Sequence, residues 1–436
     1  MASINPLSKA NISFSLAMFR QLSEDHNTTN IFFSPFSISS ALAMVMLGAR
    51  GDTATQMAEC LKTQDCQEEV HTLFQQLLEE LNKPRAGFLL SVANRLYGEQ
   101  SFLFLQEFLE QTSSCYKAEL ESVDFRNNYE EARIKINSWV EKQTQGGSHS
   151  RTISVSHDPD VLHILEQRFS CWISVFLLLI VCSFCHKFMY HHLLLPDKIK
   201  DLVGEGILNN TPTLVLVNAI YFKGTWDQQF LGIRTENAEF RLNKKDKRPV
   251  MLMRQEAKFP YVKIPEIDCQ ILEMPYEGKE LSMLIFLPRE ILDESTGLER
   301  LEKLLTYDKF MEWTSPEKMP LTDVDVRLPR FKMEEKYDLK EVLTRMGMVD
   351  AFDQAKCNFS GMSAAKDLYL SDAIHKAFVE VNEKGTEAAA ATGMFMCNSS
   401  GNLKQHYFTA DHPFLFFIRH NSSMNILFAG RFCCPE

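Results

Sequence analysis

The chain has 436 residues, 45% hydrophobic and 24% charged, a balance in which apolar burial can offset the entropy of ordering, so a disordered protein is excluded. A net charge of -11 with dispersed Lys and Arg excludes a nucleic-acid surface, which needs a basic stripe. Length alone suits about three domains or one large one, and eleven cysteines without a framework spacing suit reduced thiols in the cytoplasm.

The first ten residues lack the charged head and long apolar run of a secretory signal, while Leu7, Ala10, Phe14, Ala17 and Met18 recur at helical spacing. Ser34 reads as a cap and Pro35 as a first helical residue, with an apolar run from Ile38 to Leu47 stopped by Gly48. A second helix follows Asp52, and a strand covers Leu89 to Tyr97. Tyr129 to Gln143 is helical, with Ala132, Ile136, Trp139 and Val140 on one side.

Residues 147 to 197 break this rhythm. A polar stretch is followed by an uncharged one from Phe169 to Cys185, just short of the about twenty residues that span a bilayer. Cys182, Cys185, His186, His191 and His192 could ligate a metal, but no second Cys pair completes a four-ligand set. Neither a metal site nor a membrane span is expected here, and no cofactor is implied anywhere.

From Leu214 to Phe222 the chain is apolar on both faces, as in a central strand covered on two sides, with Asn218 as its one polar residue. Further strands are expected at Leu281 to Leu287, Val324 to Leu328, Phe414 to Ile418 and Ile426 to Phe432. Leu339, Val342, Leu343 and Met346 before Gly347 mark a short helix. The sum is a helix-rich front and a sheet-rich back, an α+β protein.

The stretch from Val381 to Gly393 is small-sided. On a two-residue period Thr386, Ala388, Ala390 and Thr392 face one way, and Glu387, Ala389, Ala391 and Gly393 the other. Four consecutive alanines alone favour a short helix or a linker. Against that reading, Lys376 to Val381 alternates like a strand, another strand begins after Asp411, and the exposed connection of roughly thirty residues is longer than unstructured loops usually are.

No nucleophile elbow, phosphate loop or zinc-protease motif is present. His375 is the most enzyme-like single residue, but a histidine beside a buried strand is more often a hydrogen-bonded structural group. The terminal Cys433-Cys434-Pro435-Glu436 lacks the two aliphatic residues of a prenylation box.

Taken together, four segments resemble the serpin family: Asn30 to Met44, Leu214 to Trp226, the hinge Glu383-Lys-Gly385-Thr386-Glu387-Ala388-Ala389-Ala390-Ala391-Thr392, and Asp411 to Ile418. Within it the chain looks like the ovalbumin-type (clade B) intracellular branch, and in particular its granzyme B inhibitor group. The resemblance covers nearly everything except 147 to 197. It implies one domain over residues 1–436, about nine helices around three mainly antiparallel or mixed sheets, and an exposed reactive-centre loop.

The resemblance further implies a monomeric, cytoplasmic inhibitor of serine proteases, not an enzyme. The protease attacks the loop and forms an acyl-enzyme, and the cleaved loop then inserts into the central sheet. Family spacing from Thr386 puts the scissile bond at Ser399-Ser400, with Asn398-Ser399 next. Ser34, Ser37, Asn218 and His375 match a polar network where the sheet parts, and Trp226 matches the tryptophan under the point where the loop enters. A granzyme or a chymotrypsin-like protease is the candidate partner, although these small polar residues suit neither a trypsin-like pocket nor the acid preference of granzyme B.

Where family members run from the Trp139 helix almost directly into Lys198, this chain interposes residues 147 to 197. Their composition, and the clean resumption of the family pattern, are those of an alternative exon or a retained intron. The insertion leaves a second reading open, a non-inhibitory or disabled protein with the same fold.

Overall fold

The apolar run foreseen around Asn218 is the strand Leu214–Thr225, and its alternation divides two cores. Leu214, Leu216, Ile220 and Phe222 enter the larger apolar cluster, while Val215, Val217, Ala219 and Tyr221 enter a smaller one on the opposite face. This computed structural model describes residues 5–25, 28–83, 87–144, 199–289, 291, 296–386 and 406–435. The insertion at 147–197, the hinge beyond Thr386 and the expected scissile bond lie outside those residues.

Leu214–Thr225 is central to a six-stranded mixed sheet. Its neighbours on one side are Leu370–Asn382 and then Phe331–Asp338, and on the other Phe88–Glu99 and then Leu120–Val123. Leu370–Asn382 runs parallel to Leu214–Thr225, whereas Phe88–Glu99 runs antiparallel to it. The two-residue strand Gly385–Thr386 is wedged between Leu370–Asn382 and Leu214–Thr225 at one end.

On one face lies the helix Pro35–Met46, every residue of which is buried. Ser34 caps it by accepting from the Ser37 N–H, and Pro35 occupies the first turn, where its missing donor costs nothing. On the opposite face the helix Tyr129–Thr144 presents Ala132, Ile136 and Val140, joined in the same apolar layer by Ile199, Leu202, Val203 and Leu208. Both ends of the chain that flank residues 145–198 therefore belong to the layer over this face of the sheet.

The other two sheets share one long strand, Lys247–Ile264. Its first part pairs with Glu236–Arg241 and with Leu321–Pro329, which takes His406–Thr409 in parallel. Its last residues join Cys269–Pro275, Leu281–Pro288, Phe414–His420, Ile426–Phe432 and Ile31–Phe33. Nine α-helices are present among the described residues, and the architecture is the α+β arrangement of three sheets expected above. Lys247–Ile264 escaped sequence reading because it is half exposed, carries Lys, Arg and Glu on its outward positions, and buries a polar Gln255. The long connection after Val381 also differs from a plain exposed loop, since it is bracketed by the strands Gly385–Thr386 and His406–Thr409.

Candidate functional site

The central sheet is closed along most of one seam and open at its end. Leu370–Asn382 and Leu214–Thr225 are paired from Leu370 opposite Leu214 as far as Phe378 opposite Tyr221. Beyond that level the two strands part, and the chain reverses through Glu383 and Lys384 into the gap. Gly385 and Thr386 then lie antiparallel to both neighbours, opposite Asn382 and Val381 on one side and Thr225 and Gly224 on the other. A third strand has begun between the two.

Gly385 has φ of +146°, and a Cβ there would stand 2.0 Å from the carbonyl oxygen of Gly224. Only glycine passes between the two backbones at this level. Beneath the turn, Trp226 is 1% exposed and stacks on Tyr276 with ring centroids 4.5 Å apart. Its indole N–H donates to the Asn382 carbonyl at 3.1 Å, and its backbone N–H to the Lys384 carbonyl at 2.8 Å. The Glu383 carboxylate pairs with Arg330 and accepts from the Thr235 hydroxyl at 2.8 Å. Burial works to raise the Glu383 pKa, but the hydrogen bonds from Arg330 and Thr235 outweigh it and hold the group below the usual carboxylate range.

Further along the closed seam, a polar row crosses the sheet at one register level. Tyr337 stands opposite His375, His375 opposite Asn218, and Asn218 opposite Asn94. The hydrogen bonds fix the histidine tautomer: the Ser34 N–H donates to His375 Nε2 at 3.1 Å, so Nδ1 carries the proton and donates to Asn218 Oδ1. The Asn218 amide then donates to the Ser37 carbonyl at 3.1 Å, to the Ser37 hydroxyl and to Asn94 Oδ1. Asn94 donates to the Ser40 hydroxyl at 3.0 Å, and Ser34 Oγ donates to the Leu427 carbonyl at 2.6 Å. His375 is completely buried, and burial lowers its pKa to about 3, so the imidazole is neutral at any physiological pH.

This network ties the start of the helix Pro35–Met46 to three strands of the central sheet. Its members are short polar groups, and each is satisfied only while the strands are in register. Ser34, Ser37, Asn218 and His375 come together in this network, and Trp226, Glu383, Gly385 and Thr386 come together where the strands part. Asn94, Ser40, Tyr337, Arg330, Thr235 and Tyr276 were not anticipated. Asn94 carried a usable signal, a lone amide inside the strand Phe88–Glu99 just as Asn218 is inside its own; Arg330, between two strands, carried none. Glu387, Ala388, Ala389, Ala390, Ala391 and Thr392, with Asn398, Ser399 and Ser400, lie outside the described residues. Among the described residues no three His, Cys, Asp or Glu side chains gather as a metal site would require.

Comparison with known proteins adds independent support. The family profile "Serpin (serine protease inhibitor)" matches residues 9–163 and 196–435. The leukocyte elastase inhibitor of Equus caballus is 47% identical over 430 residues, covering 98% of this chain and 99% of its own. That of Homo sapiens is 46% identical over 429 residues with the same coverage. Among solved structures, uncleaved ovalbumin superposes with a TM-score of 0.78 at 31% identity, covering 98% of this chain and 100% of its own. Maspin does so with 0.80 at 31% identity over 100% of both. A sheet that parts around a small-sided strand, over a core matched along nearly its whole length, places this chain in the serpin family.

Proposed function

We propose that the protein is a suicide-substrate inhibitor of serine proteases with an elastase-like pocket, acting as a monomer in the cytoplasm. The observation that carries this reading is the seat of Gly385 and Thr386 between two parted strands of the central sheet. A strand growing from that seat is antiparallel to both neighbours, and it exchanges one strand–strand seam for two, gaining main-chain hydrogen bonds and packing. The protease serine attacks the carbonyl of Ser399, the amide nitrogen of Ser400 leaves, and the acyl-enzyme is carried away as the freed segment follows Thr386 into the sheet. Loop insertion of this kind releases stored strain.

The small hydroxyl side chains at Ser399 and Ser400 favour a pocket that accepts small residues, in keeping with the elastase inhibitors to which the chain is similar. They offer no basic residue to a trypsin-like enzyme and no acid to a granzyme B-like one. Met394-Phe395-Met396 would draw a chymotrypsin-like enzyme earlier in the loop, leaving a segment too short to carry the acyl-enzyme across the sheet. The thiols described are unpaired, which suits the cytoplasm. No helix among the described residues is long and apolar enough to cross a membrane.

The chain is read as one serpin domain carrying residues 147–197 as an insertion. A disabled protein of the same fold is the second reading, because the segments on either side of the insertion pack in the layer over the face of the sheet that must open. Mixing the purified chain with elastase-like, chymotrypsin-like and granzyme enzymes tests the proposal. A complex that survives denaturant, formed with an elastase-like enzyme and cut at Ser399-Ser400 by mass spectrometry, is expected. Cleavage at that bond with no complex would establish the disabled reading instead.

A further inference from the structure

Away from the sheet opening, the strands Cys269–Pro275, Leu281–Pro288 and Phe414–His420 border a cavity of about 510 Å³, within the range of small-molecule sites. Arg419 lines it and is only 5% exposed. Its Nε donates to Asn421 Oδ1 at 3.2 Å and its Nη2 to Glu273 Oε1 at 3.0 Å, whereas Nη1 has no hydrogen-bond partner among the described residues. A buried guanidinium nitrogen without an acceptor is an unusual feature in a native fold, because each such donor has lost its water and gained nothing in return.

The rest of the lining says what the missing acceptor would be. Glu273 is occupied by Arg419, and Asp227 by Lys279 at 3.6 Å, so neither acid is free to repel an anion. Lys258, exposed at the rim, makes no ion pair among the described residues. The remaining surface is largely apolar: Phe259 and Met319 are buried, Met424 is half-buried, and Leu321 is 70% exposed, a costly arrangement for an empty groove. Arg419, with one buried donor unsatisfied, and the exposed Lys258 together suit a single negative charge, and the apolar walls suit a hydrocarbon body; phosphate or sulfate would leave those walls uncovered.

We propose that this cavity binds a small amphipathic carboxylate, a medium-chain fatty acid or an aryl acid, with its carboxylate between Arg419 and Lys258 and its apolar body against Phe259, Met319 and Leu321. Octanoate is the probe, titrated calorimetrically into the full chain, with octanol as the control that keeps the tail and lacks the charge. Octanoate should saturate a single site, with octanol binding about tenfold more weakly or worse, as loss of a charge-assisted hydrogen bond implies. Replacing the ion pair by neutral amides in the double variant Arg419→Gln, Glu273→Gln should abolish the preference for octanoate. Met319→Trp fills the cavity while leaving Arg419 and Glu273 intact, and should remove binding of both probes. Because Met319→Trp does not disturb the buried charges, it decides the matter even if the double variant fails to fold. Equal binding of octanol and octanoate, octanoate binding unchanged by Met319→Trp, or no binding at millimolar octanoate would each overturn the proposal.

Discussion

His375 has both ring nitrogens committed, one accepting from Ser34 and the other donating to Asn218, so a second proton on the ring would cost it the Ser34 hydrogen bond as well as its burial. Its pKa is lowered from 6.5 to about 3 in the fold. A depressed pKa means that the unfolded chain binds the proton first; the contribution to stability is therefore complete above about pH 6.5 and is lost as pH falls towards about 3. The linked loss is about 1.4 kcal/mol per pH unit for one such group. His71, also buried and lowered to about 4, contributes a second loss over part of the same range. Denaturant unfolding at pH 6 and pH 5 should show the wild type losing stability more steeply with falling pH than His375→Gln, by about 1 kcal/mol per pH unit, with His71 and the oppositely signed Asp372, raised to about 6, common to both proteins. Equal slopes would mean that the His375 ring is not held neutral. Gly385→Ala is a different kind of change, because its Cβ would meet the Gly224 carbonyl oxygen at 2.0 Å. The strand Gly385–Thr386 should be expelled, and with a protease that cuts the loop the yield of covalent complex should fall several-fold while cleaved inhibitor accumulates.

On the proposed mechanism the two-residue strand Gly385–Thr386 is lengthened after cleavage, and the side chains that follow it would then have to fit a sheet covered on both faces. An arginine at Thr386 would have to enter between Val381 and Gly224, and burying an unpaired charge costs several kcal/mol or more. Thr386→Arg should therefore be cut at the same bond and the same rate as the wild type, yet leave no complex on a denaturing gel; a covalent complex at wild-type yield would refute the insertion mechanism. Such small-sidedness was legible in the sequence because it runs over a whole segment. So was Leu214–Thr225, whose unbroken apolar run needs cover on both faces, and the helix Pro35–Met46, announced by its cap and its proline. Lys247–Ile264 and Phe331–Asp338 were not legible: both alternate buried positions with charged outward ones, and their stability comes from cross-strand partners distant in sequence. The polar row was half legible. Asn218 and His375 stand out against apolar neighbours, but that Tyr337 and Asn94 share their level depends on the register of four strands, which no local pattern records.

At the scale of the molecule, opening the seam between Leu214–Thr225 and Leu370–Asn382 is not a local event. The apolar layer formed by Tyr129–Thr144 and the 199–208 segment rests on side chains from both strands, among them Val217, Tyr221, Ile374 and Phe378, so this layer must slide when the strands separate. Interiors pack too densely to stretch, and the layer moves as a unit or not at all. Residues 147–197 connect its two halves and include the uncharged stretch from Phe169 to Cys185. If an apolar insertion tethered at that place resists the movement, its removal changes how efficiently the sheet opens. Removing residues 147–197 should leave cleavage of the reactive loop unchanged, since attack on the scissile bond precedes any opening of the sheet. It should also raise the fraction of encounters that end in covalent complex, because hydrolysis of the acyl-enzyme by water and insertion of the freed loop compete only after the acyl-enzyme has formed. The comparison is made by titrating a fixed amount of protease with each form and reading the moles of inhibitor consumed per mole of enzyme trapped. A ratio that drops when the insertion is removed would identify it as a brake on the sheet, whereas the same ratio for both forms would show that the layer moves freely with the insertion in place.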